Sequence, residues 1–259
     1  MSALIASASE AGRALAPSID VTGVSVAFGG LQALRGVTMS VHGGEIVGLI
    51  GPNGAGKTTA LNVLSGFVRP DTGSVLVAGA EAVGWSPQRF AHHGVSRTFQ
   101  NLRLFAGLTL IDNIEVAGVA AGLSRRHARE RAIELLDQMG LAGRADQLAA
   151  SLSYGEEKLL AMGRAIAMSP QVLLLDEPAA GLNESETDLL GEWISQTRTT
   201  LGCGILLVEH DMRIVMTHCE RIYVLDHGQL IASGTPATVS ADPKVIEAYL
   251  GSPENETGA

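Results

Sequence analysis

Residues 51–59 read Gly51-Pro52-Asn53-Gly54-Ala55-Gly56-Lys57-Thr58-Thr59. The spacing fits the pattern G-x-x-x-x-G-K-S/T, in which each residue type has a physical task. The glycines let the backbone curl until successive N–H groups point inward at an anion. A helix beginning near Lys57 adds the positive end of its dipole. Lys57 supplies a point charge for the β- and γ-phosphates of a nucleoside triphosphate, and the Thr58 hydroxyl is placed for Mg2+. A second group follows in Val172-Leu173-Leu174-Leu175-Asp176-Glu177-Pro178. An apolar strand there delivers two carboxylates at its C-terminal end, where α/β sheets bind ligands. Asp176 suits a water-mediated hold on Mg2+. Glu177 is the natural group to polarise an attacking water.

These groups need elements to hold them. Ile46 to Ile50 is a continuous apolar run, as expected of a strand buried on both faces, and the runs from Val172 to Leu175 and from Ile205 to Val208 read the same way. Helical segments between them imply a mainly parallel α/β core. Before the loop, Val24, Val26 and Phe28 alternate with small or polar residues, as do Val37, Met39 and Val41. Both stretches read as half-buried antiparallel strands, with turns at Gly29-Gly30 and at His42-Gly43-Gly44. Ile222 to Leu225, His227-Gly228 and Gln229 to Ala232 read as a hairpin at the far edge.

Between Gln100 and Arg164 the strand signal disappears. Ala132, Ile133, Leu135, Leu136 and Met139 fall at helical spacing, with Ser124 as N-cap and Gly140 as the stop. Residues 152–167 form another helix, opening after Ser151 or Ser153. The region 100–164 is read as a helical insertion. The whole gives a flexible N-terminal arm over 1–17, a single domain over 18–251 and a flexible tail over 252–259.

Composition narrows the function classes. A chain of 259 residues, 46% of them hydrophobic, can build a large core. The net charge of −9 argues against a general nucleic-acid binder, which needs a basic face. No apolar run approaches the roughly 20 residues that span a bilayer, and residues 1–18 lack a signal-peptide layout. Two cysteines, Cys203 and Cys219, make no disulfide framework and read as buried reduced thiols. A cytosolic protein is expected.

With the loop and the acidic strand in place, the sequence from about Ile19 to Gly251 resembles the ATP-binding cassette (ABC) transporter ATPases. The discriminating stretch is Leu152-Ser153-Tyr154-Gly155-Glu156, similar to the family's signature LSGGQ. The resemblance implies that this helix N-terminus faces the γ-phosphate bound by another subunit. Ser153 Oγ, the Gly155 N–H and the helix dipole suit an anion site. Tyr154 stands where a glycine is usual and Glu156 where glutamine is usual, which leaves the role of Glu156 open. By the same resemblance, Gln100 is the loop glutamine that touches Mg2+ and the attacking water. His210 is the switch histidine for the γ-phosphate, and residues 180–183 form the loop between subunits, with Asn183 where aspartate is common. Phe28 resembles the aromatic that stacks on adenine.

Three further strings, residues 96–105, 176–183 and the tail from Val208 to Gly251, resemble the branched-chain amino acid uptake branch. The resemblance implies an ATP-hydrolysing, Mg2+-dependent subunit on the inner face of the cell membrane, energising an importer for branched-chain amino acids or related amides. Its partners would be transmembrane permease subunits, a second ATPase subunit (itself or a paralogue) and, indirectly, a solute-binding protein. Leu102, Leu104 and Phe105 are candidates for the permease-docking groove or for internal packing. An exporter ATPase, a urea or amide importer and a soluble non-transport ABC protein are the alternatives. The short insertion and single cassette disfavour the last.

Overall fold

The computed structural model describes residues 18–100 and 102–250. The expected arm at 1–17, Gly251 and the tail at 252–259 lie outside the described residues. Strands β1 (Ser18–Phe28) and β2 (Leu31–His42) pair antiparallel, with Ser18 opposite His42 and Phe28 opposite Leu31. Then come β3 (Ile46–Ile50), α1 (Lys57–Leu64), β4 (Thr72–Val77), β5 (Ala80–Glu81), α2 (Pro87–His92) and β6 (Val95–Arg97). Three helices follow: α3 (Leu110–Ala120), α4 (Arg125–Gln138) and α5 (Tyr154–Ala167). The chain continues through β7 (Val172–Asp176), α6 (Glu184–Leu201), β8 (Gly204–Val208), α7 (Met212–His218) and β9 (Arg221–Asp226). It ends with β10 (Gln229–Gly234), α8 (Pro236–Ser240) and α9 (Pro243–Leu250).

The strands form two sheets. One is antiparallel, in the order β2-β1-β4-β5; the other runs β10-β9-β3-β8-β7-β6. In the second, β9, β3, β8, β7 and β6 are mutually parallel, and β10 closes one edge as the antiparallel arm of the expected hairpin. The apolar runs are continuous because each central strand feeds two cores. Val47, Leu49, Val172, Leu174, Leu206 and Val208 pack toward α1 and the antiparallel sheet. Ile46, Ile50, Leu173, Leu175, Ile205 and Leu207 pack toward α5, α6 and the helical insertion. Each such side chain contributes roughly 1.5–3 kcal/mol on burial, so a polar residue at either parity would destabilise one of the two layers.

In the insertion the sequence signals act as caps. Thr109, Ser124 and Ser153 each accept a backbone N–H at the start of α3, α4 and α5. Ser151 ends a short 3-10 turn instead, so the choice between the two serines falls on Ser153. Gly140 follows α4 in a left-handed conformation, φ 71°. One expectation is corrected: Ile133 is 52% exposed, while Ala128, Ala132, Leu135 and Leu136 carry the buried face. Ile133 follows Ala132 directly, and a step of one residue turns roughly 100° around a helix, away from that face.

Candidate nucleotide-binding site

The order of the parallel sheet brings the predicted chemistry together. Strands β3, β8, β7 and β6 are neighbours, and their C-terminal ends lead into Gly51, Glu209-His210, Asp176-Glu177 and Gln100 respectively. Residues distant in sequence thus share the carboxyl edge where such sheets bind ligands.

The loop between β3 and α1 is held from behind. A side-chain carbon on Gly51 would lie 1.9 Å from the Leu225 carbonyl oxygen, so only glycine fits there. Gly228 N–H donates to the Ala55 carbonyl at 2.9 Å, fastening the loop to the β9–β10 turn. On the C-terminal helix, burial pushes the Tyr249 phenol up, and the Gly51 N–H opposes that shift. The Lys57 ammonium curls back to donate to the carbonyls of Gly51 at 2.7 Å and Pro52 at 3.0 Å. Burial lowers the Lys57 pKa, and the charges of Glu177 and Asp176 oppose that shift. A cavity of about 410 Å3 at the loop is lined by Asn53, Gly54, Ala55, Gly56, Lys57, Thr58, Thr59, Glu177 and Phe28, among others. Phe28 is half exposed at the end of β1.

Each carboxylate has a partner. Asp176 Oδ2 accepts from Arg97 Nη2 at 2.9 Å, in a pair that is 7% and 11% exposed. Arg97 Nη1 also donates to Asn62 at 2.7 Å and Ser65 at 2.9 Å, tying the Asp176 strand to α1. Gln100 Nε2 donates to Glu177 Oε2 at 3.2 Å. Glu177 has φ 48°, a left-handed conformation that costs a non-glycine residue about 1–3 kcal/mol. Bonds on both sides hold it there: its N–H donates to the Val208 carbonyl at 2.9 Å, and Lys158 Nζ donates to its carbonyl at 3.0 Å and to that of Pro178 at 2.9 Å.

His210 is placed differently. Its ring is exposed, with Nδ1 3.9 Å from Glu209, and it is absent from the lining of the loop cavity. Glu209 is fully buried; it accepts from Ala179 N–H at 2.6 Å and from His210 N–H at 3.2 Å. Burial pushes its carboxyl up, and those backbone donors pull it back. One carboxyl therefore links the segment after Glu177 to the histidine.

Ser153 and Gly155 are likewise not in the cavity lining; they lie at the α5 N-terminus. Ser153 and Glu156 form a reciprocal capping box. At position 156 the carboxylate caps its own helix, as a glutamine would also do, and is in addition bound by Arg144. Its pKa is lowered, first by the Ser153 backbone N–H and further by Arg144. A side chain on Gly155 would meet Glu186 Oε1 at 3.0 Å, and one on Gly181 would meet the Tyr154 ring at 2.9 Å. The signature stretch and residues 180–183 are thus packed together. Asn183 caps α6 through Glu186 N–H at 3.0 Å, so it serves without aspartate.

Arg97, Lys158, Glu209, Arg144 and Tyr249 escape sequence reasoning. For Glu209 a signal exists, a carboxylate directly after the apolar run Ile205 to Val208. For Lys158 it is weaker, a charge on the buried face of α5. Cys203 and Cys219 are buried free thiols, as expected.

A glycine loop between a central parallel strand and a helix, with an acidic pair on the next strand but one, defines a P-loop nucleoside-triphosphatase fold. Residues 34–180 match the "ABC transporter" family model, and residues 229–255 match that of the "Branched-chain amino acid ATP-binding cassette transporter". The chain is 42% identical over 250 residues to the high-affinity branched-chain amino acid transport ATP-binding protein LivG of Escherichia coli, covering 91% of this chain and 98% of that one. It is 41% identical, with the same coverage, to BraF of Pseudomonas aeruginosa, which bears the same description. The structure of MJ1267, an ATP-binding cassette of an ABC transporter in its ADP conformation, superposes with a TM-score of 0.82 at 30% identity, covering 91% and 99% of the two chains. This chain belongs to the ABC transporter ATP-binding family and is an ATPase subunit. Among the described residues, no helix is long and apolar enough to cross a membrane.

Proposed function

We propose that this chain energises a membrane importer for branched-chain amino acids or related amides, hydrolysing ATP on the inner face of the cell membrane. The observation that carries the reading is the convergence of Lys57, Asp176, Glu177 and Gln100 on one sheet edge, in a chain whose C-terminal residues 229–255 match the branched-chain amino acid model. The amides of residues 51–59 cradle the phosphates, and Lys57 exchanges its two carbonyl partners for β- and γ-phosphate oxygens. Phe28 covers the base. The Thr58 hydroxyl, the Asp176 carboxylate and the Gln100 amide form an all-oxygen donor set that fits Mg2+. When bound, that ion neutralises charge developing on the phosphates. Glu177 takes a proton from the attacking water, oriented by its bond from Gln100. His210 swings from solvent to hydrogen-bond the γ-phosphate.

Ser153 and Gly155 lie outside the cavity of their own loop, which supports their facing a nucleotide on a second ATPase subunit, itself or a paralogue. Closure of that pair on ATP, and its release after hydrolysis, would be passed to transmembrane permease subunits fed by a solute-binding protein. Leu102 and the half-exposed Phe105 follow Gln100 and offer a docking face, whereas Leu104 is partly buried against the core. The test uses two variants. Glu177→Gln binds Mg-ATP but does not turn it over, and Lys57→Ala loses nucleotide binding. Normal hydrolysis by the first would remove the assignment of the base; tight Mg-ATP binding by the second would remove that of the loop.

A further inference from the structure

We propose that Arg144 is a positioning residue for the phosphate-facing end of α5, holding Glu156 neutralised so that Ser153 and Gly155 can accept an anion. This rests on the reading above, in which that end meets a γ-phosphate carried by a second ATPase subunit.

The difficulty it resolves is a carboxylate where a neutral amide is usual. The first turn of α5 carries Glu156 and Glu157 and no basic residue. Glu156 Oε2 accepts from Ser153 N–H at 2.9 Å and from Ser153 Oγ at 3.0 Å. A serine hydroxyl has one proton to donate, and here Glu156 receives it. For Ser153 to donate to a phosphate, that proton must leave the carboxylate, and the incoming dianion must approach a negative charge. Arg144 answers both needs. Its Nη1 binds Glu156 Oε1, the oxygen turned away from Ser153. The arginine is itself anchored, with Nε donating to Gln147 Oε1 at 2.8 Å and Nη2 to the Ser151 carbonyl at 3.4 Å. It therefore approaches from the 3-10 turn Ala142–Arg144, outside the helix.

Stability alone does not explain the pair. Its side chains are 32% and 28% exposed, and partly solvated ion pairs contribute little to folding. The pair's position beside the serine hydroxyl points to phosphate binding.

A two-by-two set tests this: Arg144→Met and Glu156→Gln, singly and together, with Arg144→Lys as the charge-preserving control. The transporter is isolated from membranes through a tag on this chain, and its KM for ATP, kcat and melting temperature are measured. Arg144→Met raises KM about tenfold while Glu156 is present, as one uncompensated charge beside an anion should. Measured against Glu156→Gln, the same change costs less than about twofold, because the charge to be neutralised is gone. Arg144→Lys stays within about threefold of the parent, since the charge is kept. An equal rise in KM in both backgrounds, or a loss that tracks melting temperature alone, overturns the proposal and leaves the two-subunit site standing. Failure of the unmutated chain to yield an ATP-hydrolysing transporter overturns both.

Discussion

Replacing Arg97 by methionine tests whether the acidic strand is held in place by a cation from the neighbouring strand. Methionine keeps much of the apolar stem and removes the guanidinium, whose central carbon lies 4.9 Å from the Phe99 ring centroid. What is lost is the 2.9 Å pair to Asp176 and the bonds to Asn62 at 2.7 Å and Ser65 at 2.9 Å. Asp176 is 11% exposed, so its carboxylate is left nearly buried without a counter-charge. Removing one partner of such a pair costs about 3–5 kcal/mol. For a domain of this size each kcal/mol lowers the melting temperature by about 2–4 °C, so the loss is at least about 6 °C. Denaturant titration gives the free energy directly. The double variant with Asp176→Asn should recover about half of it or more, because the stranded charge is gone. A single variant within about 1 kcal/mol of the parent, the level of a surface pair, would refute the idea that Arg97 holds Asp176.

Three further outcomes are expected. Gly51→Ala forces a carbon to within 1.9 Å of the Leu225 carbonyl, so the loop must move; it should lose ATP binding in a fluorescent-nucleotide assay and about 1–3 kcal/mol of stability, and unchanged binding would contradict the loop geometry. Burial pushes the Cys203 thiol up to about 11 and the Cys219 thiol up to about 12, so a thiol reagent at neutral pH should label neither until the chain unfolds; fast labelling of the native protein would count against their burial. Glu156 has its pKa lowered from about 4.5 by the Ser153 bond and Arg144, so its contribution is full above that pH and is lost as pH falls through the lowered value; the stability gap between the parent and Glu156→Gln should shrink on acidification, and a gap that widened would reverse the sign.

Much of this was legible because the signals were local. Residues 51–59 announce their chemistry within nine positions, and the apolar runs at β3, β7 and β8 are unbroken because both faces of each strand are covered. Capping serines sit beside the helices they start. What escaped was non-local or weakly patterned. Arg97 and Asp176 are separated by 79 positions, and nothing in either residue's neighbourhood names the other. Lys158 and Glu209 look like surface charges until the fold buries them at 5% and 0% exposure. The strands Thr72–Val77 and Val95–Arg97 open on small residues or run only three positions, too short for periodicity to speak. Ile133 misled for the opposite reason: an apolar residue beside the helix stripe reads as part of it.

The most direct measurement is ATP-dependent uptake of a labelled branched-chain amino acid by membrane vesicles containing the transporter, with ATP on the side of this chain. The account predicts accumulation with the natural chain and none with Glu177→Gln, although that variant still binds ATP. Equal uptake by both, or no ATP-dependent uptake by the natural chain, would contradict it.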